Sequence, residues 1–174
     1  TNENDILHRA ISKGDYISKE VKETSSPSMD IQLASNFERL IYYVNNSDSE
    51  KTAEIMKKVK QNSYQIEKNN LDVIQKDFLS ESCNEQETLD IIKKNYEENN
   101  IILDPHTAVG VGVAKKLSFN DCVVLSTAHP CKFPDATNNA INKYEKLPEK
   151  LQHVVNKIEN FQVLKNNIED VKNF

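Results

Sequence analysis

Apolar residues recur along this chain mostly at helical spacing. Ile6, Leu7, Ala10 and Ile11 mark one face of a first helix, with cap candidates at Asn2, Asn4 and Asp5 and with Gly14 where a C-cap glycine belongs. His8 and Arg9 lie off this stripe and read as solvent-facing. Ile31, Ala34, Phe37, Leu40, Ile41 and Val44 predict a second amphipathic helix from about Met29 or Asp30 to Val44. Lys51 to Lys60 and Leu71 to Leu79 read as further helices, with a brief extended piece at Tyr64 to Ile66 between them. Asn84-Glu85-Gln86-Glu87 is a capping-box signature for a helix carrying Leu89, Ile91, Ile92 and Tyr96.

Two stretches break the helical pattern. Asn100 to Leu103 and Cys122 to Leu125 are short apolar runs that read as buried strands. Between them Asp104 and Pro105 supply an N-cap and a proline at the first helical position, and Ala108 to Leu117 continues as a helix. Strand, helix and strand over this span predict a right-handed βαβ unit with parallel strands. Asp104 and Thr127 then emerge on one carboxyl edge, where open α/β sheets bind ligands. The competing reading is that Asp104 only caps its helix and Thr127 only closes a turn. Asp135 to Tyr144 and Pro148 to Val155 read as helices, Phe161 to Leu164 as a strand or a link, and Ile168 to Phe174 as a frayed helical end. The organisation expected is a mainly helical part over residues 1–99, a βαβ-like part carrying the ligand edge over 100–134, and C-terminal helices over 135–174.

A net charge of -5 over 174 residues argues against a nucleic-acid-binding face. No apolar run approaches the roughly 18 residues that cross a bilayer, and no signal pattern opens the chain, so a soluble, cytoplasmic protein is expected. Cys83, Cys122 and Cys131 have neither disulfide-framework nor zinc spacing, and Cys122 reads as a strand-core thiol. There are only three glycines, so the chain holds no glycine-rich phosphate cradle. Gly110 and Gly112 fall inside a helix and predict close approach to a neighbour. The start at Thr1 and the scarcity of turn glycines read as a piece of a longer chain. Ser25, Ser26 and Ser28, clustered ahead of the second helix, are either caps or an anion site.

Four ordered segments carry a family resemblance. They are Thr1 to Arg9, Ser26 to Gln32 with Ser35 to Leu40, Leu103-Asp104-Pro105-His106-Thr107-Ala108-Val109-Gly110-Val111, and Leu125-Ser126-Thr127-Ala128-His129-Pro130-Cys131-Lys132-Phe133-Pro134. Together they resemble threonine synthase of the longer bacterial and fungal type. The resemblance implies an α/β fold of the tryptophan-synthase-like type (fold type II), here mostly helical with a few short parallel strands. It implies pyridoxal 5'-phosphate as cofactor and conversion of O-phosphohomoserine and water to L-threonine and phosphate. The family's Schiff-base lysine and glycine-containing phosphate loop lie upstream of these motifs. The chain is therefore expected to be the C-terminal part, inactive alone, with the missing N-terminal half as its partner and with exposed apolar surfaces that favour self-association.

By the same resemblance Thr127 contacts the pyridine nitrogen, with Ser126 as the alternative if the register shifts by one. A neutral hydroxyl there gives a milder electron sink than a carboxylate, which suits a reaction that expels phosphate from the γ-carbon. His129 and Lys132 meet the substrate phosphate or carboxylate, Asp104 and His106 stand behind them, and Ser28 is a further anion contact. Against this, Lys132 pairing with Asp135 and His129 capping a turn are purely structural roles. The rival class is a non-catalytic helical interaction module or a degenerate homologue, told apart by whether the reading frame continues upstream into a lysine-bearing half.

Overall fold

The computed structural model describes residues 1–155 and 157–174. Eight α-helices form among them: α1 (Ile6–Lys13), α2 (Phe37–Val44), α3 (Ser49–Lys60), α4 (Lys68–Asp77), α5 (Glu85–Asn99), α6 (Pro105–Lys116), α7 (Pro134–Ile141) and α8 (Ile168–Lys172). Local chemistry sets several of their ends. Gly14 stops α1 in the left-handed conformation at φ 75°, and its N–H donates to the Ala10 carbonyl at 3.0 Å. Asp48 caps α3 by accepting from the Lys51 N–H at 2.9 Å. At α5 the predicted capping box is present: the Glu87 N–H donates to Asn84 Oδ1 at 2.9 Å, and the Asn84 N–H donates to Glu87 Oε2 at 2.8 Å.

The apolar faces pack into two groups. Ile6 and Ala10 of α1, Phe37 and Ile41 of α2, Ile55 and Val59 of α3 and Leu71 and Ile74 of α4 share one core with Tyr16, Tyr64 and Ile66. Each such side chain removed from water contributes about 1.5–3 kcal/mol, an upper estimate against an extended reference chain. α5 packs on both α6 and α7 and buries Ile92, Val109 and Ala136. Gly112 lets α6 approach closely: a Cβ there would lie 2.8 Å from the sulfur of the buried Cys83. Burial pushes the Cys83 thiol up, away from reactivity.

Several expectations are corrected. The second helix begins at Phe37 rather than near Met29, because tertiary hydrogen bonds claim the preceding residues. The Asp30 carboxylate accepts from Asn2, Asn4 and Thr24, and the Tyr16 hydroxyl both donates to the Ala34 carbonyl and accepts from its N–H. Pro27–Met29 is instead an isolated 3-10 turn. Arg9 is buried: its guanidinium bonds Asp5 at 2.8 Å, Asp15 at 2.6 Å and the Ile17 carbonyl at 2.8 Å. Those bonds supply what burial takes away.

The two apolar runs expected as strands have no ladder partner among the described residues, where the one β-bridge joins Asp15 to Gln65, and Asn100 is left-handed at φ 54°. A strand exists only with a neighbour, and these two runs do not pair with each other. Cys122 is accordingly exposed rather than buried in a sheet, and Val123 and Leu125 stand 90% and 76% exposed. Pro148 to Val155 contains a 3-10 helix, Glu149–Val154, with no buried side chain to hold a longer α-helix, and Phe161 to Leu164 is a link.

The α5–α6 seam yields a first test. Gly112→Ala should destabilise the chain by about 1–3 kcal/mol through overpacking against Cys83, and adding Cys83→Ala should recover part of that loss in a denaturant-based double-mutant cycle. Strict additivity of the two substitutions would contradict the contact.

Candidate functional site

The candidate residues are organised from the first turn of α6. Asp104 is extended and 1% exposed, and its Oδ1 accepts from the N–H groups of His106 at 3.0 Å and Thr107 at 3.4 Å. Pro105 at the first helical position has no N–H to satisfy, so the carboxylate serves the next two free donors, where the helix dipole also favours negative charge. The same carboxylate binds two side chains. Oδ1 lies 3.0 Å from His106 Nδ1, and Oδ2 accepts the Thr107 hydroxyl.

Each of those side chains then holds another part of the chain. His106 Nε2 accepts the Ser28 N–H at 3.2 Å. That nitrogen therefore carries no proton, and a neutral ring keeps its proton on Nδ1, facing Asp104. The ring is buried, with the Phe133 ring 4.7 Å away at a 57° tilt. Thr107 Oγ1 accepts the Thr127 N–H at 3.2 Å. Ser28, Asp104, His106 and Thr127 are thus brought into one network. Thr107 is the member that sequence reasoning missed. Its signal was available, because a hydroxyl three residues after an aspartate N-cap can reach back to that carboxylate.

His129 and Lys132 lie outside this network. His129 is exposed, and its Nδ1 accepts the Cys131 N–H at 3.3 Å, capping the Pro130–Lys132 turn. Lys132 is exposed, with its Nζ 6.0 Å from the Phe133 ring centre, and it makes no ion pair with Asp135 among the described residues. Three recesses surround the segment 126–133. Thr127 and His106 line an apolar groove of ≈470 Å³ with Val109, Val113 and Leu125. Ser126 and His129 line a polar cleft of ≈650 Å³ with Tyr96 and Lys143. Lys132 lines an open cleft of ≈450 Å³ with Ser25, Glu85 and Phe133. No three His, Cys, Asp or Glu residues converge as a metal site among the described residues, and no helix is long and apolar enough to cross a membrane.

This helical arrangement is shared with an enzyme of known structure. The crystal structure of PLP-bound threonine synthase from Brucella melitensis superposes with a TM-score of 0.85 at 36% identity, over 99% of this chain and 38% of that one. The family model described as threonine synthase, C-terminal, matches residues 107–174. Threonine synthase of Saccharomyces cerevisiae is 43% identical over 87% of this chain and 35% of its own length, and that of Pseudomonas aeruginosa is 35% identical over 100% and 38%. The chain matches the C-terminal part of threonine synthases, and it spans a little over a third of the length of these relatives.

The His106 contacts generate a prediction. His106→Phe keeps a ring against Phe133 but removes the acceptor of the Ser28 N–H and the ring partner of Asp104, at a cost of about 1–3 kcal/mol in chemical denaturation. A loss within the error of the measurement would show that these two bonds hold nothing.

Proposed function

We propose that this chain forms the C-terminal part of a cytoplasmic, pyridoxal-phosphate-dependent threonine synthase that converts O-phosphohomoserine and water to L-threonine and phosphate. The observation that carries this reading is the state of Thr127. Its N–H is tied to Thr107, while its hydroxyl has no partner among the described residues and lines the apolar groove. The groove suits a pyridine ring. It offers aliphatic walls to the ring faces and the Thr127 hydroxyl to the nitrogen, with Thr1 and His106 as the other polar residues of a lining that holds neither lysine nor carboxylate.

The cofactor, when bound, supplies an electron sink for charge developing on the substrate carbon. Thr127 orients the ring by a hydrogen bond to its nitrogen, and as a neutral group it does not require that nitrogen to be protonated. His129 and Lys132, exposed in the neighbouring clefts, meet the substrate's phosphate or carboxylate, Lys132 as a mobile point charge. Ser28 is a further anion contact, while Asp104 and His106 hold the two loops in place. The lysine that anchors the cofactor and the cradle for its phosphate come from residues outside this chain, so the chain alone is inactive. The likeness over 99% of this chain to a PLP-bound threonine synthase favours this reading over a self-contained helical module.

In the full-length enzyme, Thr127→Ala should lower kcat/KM by about 100-fold and shift the cofactor absorbance, with the far-UV spectrum unchanged. Thr127→Ser should retain most of both, and an unaltered cofactor spectrum and rate in the alanine variant would refute the assignment. The exposed Val123, Leu125, Ile158, Phe161 and Val163 are where the rest of the enzyme seats. The isolated chain should therefore self-associate in sedimentation at high concentration, and strictly monomeric behaviour would count against that surface.

A further inference from the structure

We propose that Thr107 is a positioning residue that fixes the register of the loop carrying Thr127, and so decides that Thr127 rather than Ser126 faces the cofactor groove. The inference rests on the reading of Thr127 given above. Residues 120–128 form no regular element, and among the described residues their one hydrogen bond is from the Thr127 N–H to the Thr107 hydroxyl. A slip of one residue would bring the neighbouring amide to the Thr107 hydroxyl and move Ser126 or Ala128 to the place of Thr127. The surroundings differ sharply. Thr127 lines the apolar groove with His106, whereas Ser126 lines the polar cleft with Tyr96 and Lys143.

Thr107 is built for this task. Its hydroxyl has a single proton, which goes to the Asp104 carboxylate, an acceptor that has none to give. The hydroxyl is therefore left with lone pairs to offer, and the Thr127 N–H is the donor that takes one. Bonding to a charged group polarises the hydroxyl and strengthens the second bond. Three residues further along α6, Gly110 leaves a seat for Val124: a Cβ there would lie 3.0 Å from Val124 Cγ1. Residues 107 and 110 of the helix thus receive residues 127 and 124 of the loop. Neither Val123 nor Leu125, both exposed, occupies the seat at Gly110.

The test compares Thr107→Val, which keeps the shape and removes both bonds, with Thr107→Ser, which keeps both. By amide hydrogen exchange on this chain, Thr107→Val should speed exchange at Thr127 about tenfold, the loss expected for one hydrogen bond, while amides of α1 and α5 stay as they were. Thr107→Ser should match the parent. In the full-length enzyme the valine variant should reproduce the altered cofactor absorbance of Thr127→Ala, and the serine variant should restore the parental spectrum. Unchanged exchange and absorbance in Thr107→Val, with Thr127→Ala still altered, would overturn the positioning role alone. If Thr127→Ala also leaves the spectrum unaltered, the reading of Thr127 falls with it. Loss of fold in both Thr107→Val and Thr107→Ala would make the hydroxyl structural and likewise overturn the proposal.

Discussion

One buried carboxylate ties the functional half of this chain together. Asp104 is almost wholly removed from solvent, yet it is supplied with donors by the helix it caps and by the side chains of His106 and Thr107. A carboxylate buried without such donors would cost several kcal/mol. Here the cost is offset locally, within a single turn of α6. The two side chains it orients then reach outward, His106 to the turn at Ser28 and Thr107 to the loop at Thr127. Segments far apart in sequence are thereby held against one helix N-terminus.

The rest of the fold places that helix. α5, with its capping box, packs along α6 through the gap left by Gly112, and Cys83 fills that gap. The larger core of α1 to α4 supports the Pro27–Met29 turn through the Asp30 network and the Tyr16 bonds to Ala34. Packing therefore sets where the first turn of α6 points, and hydrogen bonding sets what it holds. The loop carrying Thr127 gains little from packing of its own, since its apolar side chains mostly face outward. Its order depends on α6, a rigid support for a surface loop.

Features governed by local chemistry were legible in the sequence. Gly14 as a left-handed C-cap, the Asn84 capping box, Asp104 with Pro105 at the start of α6, and close approach at Gly112 all follow from a few neighbouring residues. Features decided by distant partners were not. Periodicity placed the second helix several residues too early, because only the folded chain shows Asp30 and Ala34 already bonded elsewhere. Arg9 looked solvent-facing because its acceptors, Asp15 and the Ile17 carbonyl, lie beyond the end of its own helix. Cys122 to Leu125 has strand composition, but strand pairing is a property of two segments. The motif resemblance pointed to Thr127 and His106, while Thr107 was passed over because a threonine after a capping aspartate reads most simply as a helix residue, although its hydroxyl stands where it can reach back to that carboxylate.

In the proposed division of roles, this chain supplies the wall that faces the cofactor ring and the rest of the enzyme supplies the lysine that anchors it. The most direct measurement is borohydride reduction in the presence of pyridoxal phosphate, on the chain alone and on the full-length enzyme, followed by mass analysis of the peptides. The account predicts no unique adduct on any lysine of residues 1–174 in either sample, and a single adduct in the full-length enzyme at a lysine outside them. A single reducible adduct at one lysine within this chain would contradict it and would place the covalent chemistry here.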